Sequence, residues 1–131
     1  SWVSLQVGEG HDAYRKFACD KSIIDLTDKI DSFADTAALI AQLDLVITID
    51  TSVAHLAGAM GKLVWVMLCQ VPDWRWHLER ADSPWYPRAR LFRQSAAGDW
   101  APAFRAAAAQ LERSAGAGAA AGIRLGKVFA V

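Results

Sequence analysis

The chain has 131 residues, 53% of them hydrophobic, with fourteen Lys and Arg against fourteen Asp and Glu. That length suits one domain with a real buried core and is too short for two nucleotide-binding-size domains. An enzyme that closes a cleft between two such domains is therefore beyond this chain alone. Zero net charge argues against a general nucleic-acid or membrane-surface binder. Cys19 and Cys69 form no CxxC and no Cys/His cluster, so they suggest neither a disulfide scaffold nor a zinc site. The reading is a reduced, cytoplasmic protein. No apolar run approaches the ~18 residues of a membrane-spanning helix. The opening SWVSLQVGEG lacks the basic lead and apolar core of a signal peptide. It starts mid-strand without Met, as a piece of a larger protein would.

In chain order, Trp2 to Val7 reads as a short strand ended by Gly8-Glu9-Gly10, followed by a weak helical stretch at Asp12 to Ala18. Ile23 to Leu26 is a second short strand. Asp35 is expected to cap a helix carrying Leu39, Ile40 and Leu43 on one face. Leu45 to Ile49 is β-branched and uncharged, which suits a strand covered on both faces of a parallel sheet. Thr51-Ser52 opens a helix over Val53 to Met60, with Gly61 where a helix end wants positive φ. Leu63 to Leu68 is another buried-type strand.

From Cys69 the pattern breaks. CQVPDWRWHLERADSPWYP holds three of the four prolines and three of the six tryptophans, and reads as a long ordered loop with one turn of helix near Trp74. Arg90 to Arg93 is a final strand, and Asp99 opens a helix to about Arg113. Residues 114–131 are low-complexity and end in a stray apolar run. That tail is expected to be mobile or loosely packed, or else to serve as a partner-binding strand. Residues 1–113 form the ordered domain.

Alternating strands and helices mean an α/β domain, a Rossmann-like parallel sheet with helices on both faces. Ligands in such sheets bind outside the carboxyl ends of the strands. Asp50, Thr51, Ser52 and His55 then matter most. A helix N-terminus offers free N–H groups and about half a positive charge, and two hydroxyls and an imidazole add to it. This suits a diphosphate. Asp50 would repel phosphate but accept from sugar hydroxyls. Taken singly, each residue has a plainer reading as a cap, a loop anchor or a satisfied histidine. A Ser-His hydrolase is excluded, because Ser52 and His55 share one helical turn and no G-x-S-x-G surrounds Ser52.

The run DTSVAHLAGAMGK, after a strand and before VWVML, resembles the nucleotide-sugar motif of the glycosyltransferases that include bacterial heptosyltransferases, the family 9 type. With FADTAALIAQLDLVITI, PDWRW, DSPWYP and RLFRQ, the chain more closely resembles the bacterial version fused to tetratricopeptide repeats. The resemblance covers Trp2 to Leu111. It implies the C-terminal, donor-binding half of a two-domain GT-B fold, with the acceptor-binding N-terminal half missing and no metal or other cofactor required. It also implies that Asp50 touches the donor sugar, while Thr51, the Ser52 backbone and His55 contact the phosphates. The loop at Gly8 would approach the phosphates, and Asp35 would lie near base and ribose. Ser52 stands where many members have Gly, and Leu63 where Pro is usual.

Trp74, Arg75 and Trp76 are candidate sugar or loop contacts, since aromatic faces stack on sugars and Arg braces phosphates. Alternatively, these aromatics only fill the loop's own small core. Asp73 and Asp82 are expected to hold neighbouring Arg side chains. The partners that follow are a nucleotide-sugar donor and the missing half-domain, with no nucleic acid and no membrane span. A second reading is a non-catalytic interaction module that keeps the fold, binds no ligand and self-associates through an exposed edge.

Overall fold

The computed structural model describes residues 1–7, 23–116 and 128–130. The Gly8–Gly10 loop, the helix expected at Asp12 to Ala18 and residues 117–127 lie outside these. The elements in order are β1 (Trp2–Ser4), β2 (Ile23–Asp25), α1 (Phe33–Ala41), β3 (Leu45–Ile49), α2 (Ser52–Ala59), β4 (Val64–Leu68), β5 (Ala89–Arg93), α3 (Ala101–Gly116) and β6 (Val128–Ala130). The six strands form one sheet in the order β2-β1-β6-β3-β4-β5, with every pair parallel. This is the α/β, Rossmann-like arrangement expected from the sequence.

The side-chain period of a strand explains the layers. Along β4, Val64, Val66 and Leu68 pack against a core that includes Ile40 of α1 and Ala54 and Ala57 of α2. Trp65 and Met67 point the other way, into a core with Phe92 and with Ala103 and Ala107 of α3. All five β4 residues are buried, so an unbroken apolar run marks a strand covered on both faces. Burying each large apolar side chain there stabilises the fold by roughly 1.5–3 kcal/mol.

Gly61 and Lys62 close the C-terminal ends of α2 and α1. At the C-terminus of α2, Gly61 has φ 68°. Lys62 N–H donates to Ala57 O and Gly61 N–H to Gly58 O, both at 3.0 Å, which is the paired closure that a left-handed glycine permits. The Lys62 ammonium donates to Ala41 O at 2.7 Å and Leu43 O at 2.9 Å. It thereby satisfies carbonyls at the end of α1 with a charge of the favourable sign.

Two expectations change. Ser32, not Asp35, is the N-cap of α1: its side chain accepts from Asp35 N–H, and Asp35 sits in the first turn. The chain's end also differs from a loose tail. α3 runs on to Gly116, and Val128–Ala130 form β6, paired with β1 on one side and β3 on the other. Val128-Phe129-Ala130 has the β-branched and aromatic character of a strand, and pairing on both edges satisfies its backbone. The low complexity of the preceding residues hides that short signal.

Candidate functional site

The site is built on the turn from β3 into α2. β3 is paired on both edges, so its carboxyl end is held in the middle of the sheet. There the chain turns through Asp50 and Thr51. Thr51 has extended backbone angles, φ −138° and ψ 172°, suited to an N-cap, yet its side chain makes no capping hydrogen bond. Its Oγ1 instead lies 3.3 Å from Thr48 Oγ1 and 3.5 Å from Ile49 O. No side chain of the cap therefore closes the first turn of α2, and the positive end of the helix faces outward beside the exposed Ser52.

His55, one turn into α2, leans back toward this end. Its Nε2 is 3.8 Å from Asp50 Oδ1, and the two side chains keep 33% and 29% of their surface exposed, so a ligand can reach both. That separation is too long for a hydrogen bond. Nδ1 lies 2.9 Å from the Tyr86 hydroxyl. The imidazole stacks on the Trp76 indole at 5.2 Å between centroids, with 22° between planes. The structure thus brings Asp50, Thr51, Ser52 and His55 together at one strand end.

The aromatic loop sorts into floor and rim. Trp76 is completely buried and belongs to the core beneath His55. The expectation of a direct sugar contact from Trp76 is corrected: its ring supports the imidazole from below. The Arg93 guanidinium ties Trp76 down by donating from Nη2 to Trp76 O, and from Nε and Nη2 to Arg80 O. Its partial burial pushes the guanidinium below its ordinary pKa. Trp74 and Trp85 form the rim, 67% and 56% exposed, with rings perpendicular at 6.2 Å. Arg75 lies over Trp74 at 4.9 Å and pairs with Asp73 at 2.8 Å. Asp73 is held below the ordinary aspartate value, chiefly by the Arg75 backbone N–H. Arg80 and Asp82 make a two-pronged pair at 2.8 and 3.0 Å. The carboxylates hold their arginines as the sequence suggested.

Asp35 has a local occupation. Its Oδ2 accepts from the Ser32 hydroxyl at 2.7 Å and the Asp31 N–H at 3.2 Å. The Ser32 hydroxyl is the main reason its carboxyl lies below the ordinary value. Gly8 lies outside the described residues. Sequence reasoning missed the partners of His55. The bond to Tyr86 spans 31 positions and leaves no local mark. Gly58, on which the Tyr86 ring rests, carries no signal of its own.

Comparison with known proteins bears on this turn directly. Residues 14–71 match the family model of glycosyltransferase family 9 (heptosyltransferase). Over that span the chain is similar to family 9 glycosyltransferases. The match includes Asp35, Asp50, Thr51, Ser52 and His55, and stops before the first tryptophan of the aromatic loop. No curated protein and no solved structure matches the chain. Among the described residues no helix is long and apolar enough to cross a membrane, and no group of three or more His, Cys, Asp or Glu could hold a metal ion.

Proposed function

We propose that this domain binds the nucleotide-diphosphate-sugar donor of a glycosyl transfer. It would be the C-terminal half of a two-domain enzyme of the kind fused to tetratricopeptide repeats. The observation that carries the reading is the uncapped N-terminus of α2, with Thr51, Ser52 and His55 around it, inside the segment that matches the glycosyltransferase family. In the transfer an acceptor hydroxyl attacks the anomeric carbon, and the bond from that carbon to the diphosphate breaks. Negative charge then grows on the diphosphate. The helix end, the two hydroxyls and a His55 N–H would stabilise that charge. Asp50 can accept from sugar hydroxyls. Trp74 and Trp85 offer exposed ring faces at the rim. The acceptor site and the base that activates its hydroxyl are assigned to the other half, so the chain alone should bind donor and transfer nothing.

The test is titration calorimetry of the folded chain with ADP, UDP and GDP. Binding of at least one is expected, with turnover absent. A folded protein that gives no heat with any of the three would overturn the reading.

A further inference from the structure

Tyr86 lies outside the family match, yet it is fixed at every point. The buried Ser83 Oγ accepts from the N–H groups of Trp85 (3.2 Å) and Tyr86 (3.3 Å), which shapes the turn that presents the ring. Tyr86 O accepts from Ala89 N–H at 2.8 Å, which ties that turn to the start of β5. The ring rests on Gly58 of α2, so closely that a Cβ there would meet three ring carbons at 2.5, 2.7 and 2.9 Å. Gly58 is one turn beyond His55, on the same side of the helix. A glycine at that position therefore lets the phenol lie against α2 and bring its hydroxyl to His55 Nδ1.

The geometry points to Tyr86 as a positioning residue that sets the tautomer of His55. The Asp50 carboxylate, 3.8 Å from Nε2, favours the proton on that nitrogen, which leaves Nδ1 bare to accept from the Tyr86 hydroxyl at 2.9 Å. Nε2 is the nitrogen that faces Asp50 and the open end of α2. With the Trp76 ring beneath it, the imidazole has its plane, rotamer and proton set before any ligand arrives. The site then presents an N–H donor, rather than a lone pair, to an anion. The functional half of this inference rests on the proposed diphosphate site, and the tautomer itself does not.

Long-range 15N–1H spectra of the free protein, at a pH where His55 is neutral, test the tautomer. The wild type should show a bare Nδ1 and a protonated Nε2. Tyr86→Phe should give a mixture of tautomers. Gly58→Ala, which displaces the ring while keeping the hydroxyl, should do the same. A protonated Nδ1 in the wild type, or a Tyr86→Phe spectrum identical to wild type, would overturn the assignment. Titration with the nucleotide that binds adds the second readout: Tyr86→Phe should weaken it by up to about tenfold, the worth of one hydrogen bond. In a His55→Ala background the same change should have no effect. Wild-type affinity in Tyr86→Phe despite an altered tautomer would overturn the positioning role. If no nucleotide binds the wild type, the proposed function fails, and the spectra alone decide Tyr86.

Discussion

The two helices on one face of the sheet begin in opposite ways. At α1, Ser32 accepts from Asp35 N–H, while the Asp35 carboxylate accepts from the Ser32 hydroxyl and from Asp31 N–H. That end is closed by its own side chains, with a carboxylate against the positive pole. At α2 the equivalent residue, Thr51, has the backbone angles of a cap but turns its hydroxyl back to Thr48 and Ile49. No acidic residue lies in its first turn. Folding alone would favour the closed version at both ends, by about 1 kcal/mol each. The open end sits at the carboxyl edge of the central strands, where α/β sheets take their ligands. The closed end follows β2, the strand at the edge of the sheet. The contrast separates a helix start that serves the fold from one left available to an anion.

The largest break in this comparison is beneath the open end. Trp76 is wholly buried and packs on His55 and Tyr86. Trp76→Ala should lower stability by about 3–5 kcal/mol, since an aromatic-sized cavity opens under α2. Urea unfolding measures this. A loss below about 1 kcal/mol would mean that the loop does not anchor α2. His55→Ala should act differently. Losing its bond to Tyr86 and its stacking on Trp76 should cost about 1 kcal/mol, well below the Trp76→Ala loss. Diphosphate affinity should nevertheless fall about ten- to hundredfold, the range for a hydrogen bond to a charged group. Equal affinity in the variant would place the diphosphate elsewhere.

How much of this was legible in the sequence follows from the range of each interaction. β3 and β4 were readable because burial on both faces leaves an unbroken β-branched run, and their bounds differ from expectation by one residue at most. The turn at Thr51 was readable because a hydroxyl pair and Gly61 bracket one short helix. The cap of α1 was misplaced although Ser32-Phe33-Ala34-Asp35 carries the Ser-x-x-acid pattern of a capping box. Asp35 drew the assignment because it directly precedes the apolar face. The floor under His55 was not legible. Trp76 and Tyr86 reach α2 from a loop that follows β4, and composition alone does not tell a buried tryptophan from the exposed Trp74 two positions earlier.

The closed end supplies a control of moderate size. Ser32→Ala should cost about 1 kcal/mol of stability through the lost cap. It should leave nucleotide affinity unchanged. The pH dependence has a definite sign. Folding lowers the Asp35 pKa, with the Ser32 hydroxyl as the main cause. Its contribution is therefore fully present above the ordinary aspartate value of about 3.9 and is lost as pH falls through the lower folded value. The gap between wild type and Ser32→Ala should hold from neutral pH to about 5 and narrow in stronger acid. Thermal unfolding across that range measures it. A gap that widens in acid would contradict the assigned partner.

Thr51→Ala makes the smallest change and asks the sharpest question. Thr51 and Ser32 occupy the same position on their helices, so a uniform rule for N-caps predicts the same cost for both. The structure predicts otherwise. The Thr51 hydroxyl caps nothing, and its removal gives up only long contacts to Thr48 and Ile49. Stability should change by less than about 0.5 kcal/mol, well under the cost of Ser32→Ala. Diphosphate affinity should still weaken, by up to about tenfold for one lost donor. A Thr51→Ala variant as destabilised as Ser32→Ala, with unchanged affinity, would make Thr51 an ordinary cap and remove the distinction between the two helix ends. A variant of wild-type stability with weakened binding would locate the anion at the open end of α2, because no folding role would remain to explain the threonine there.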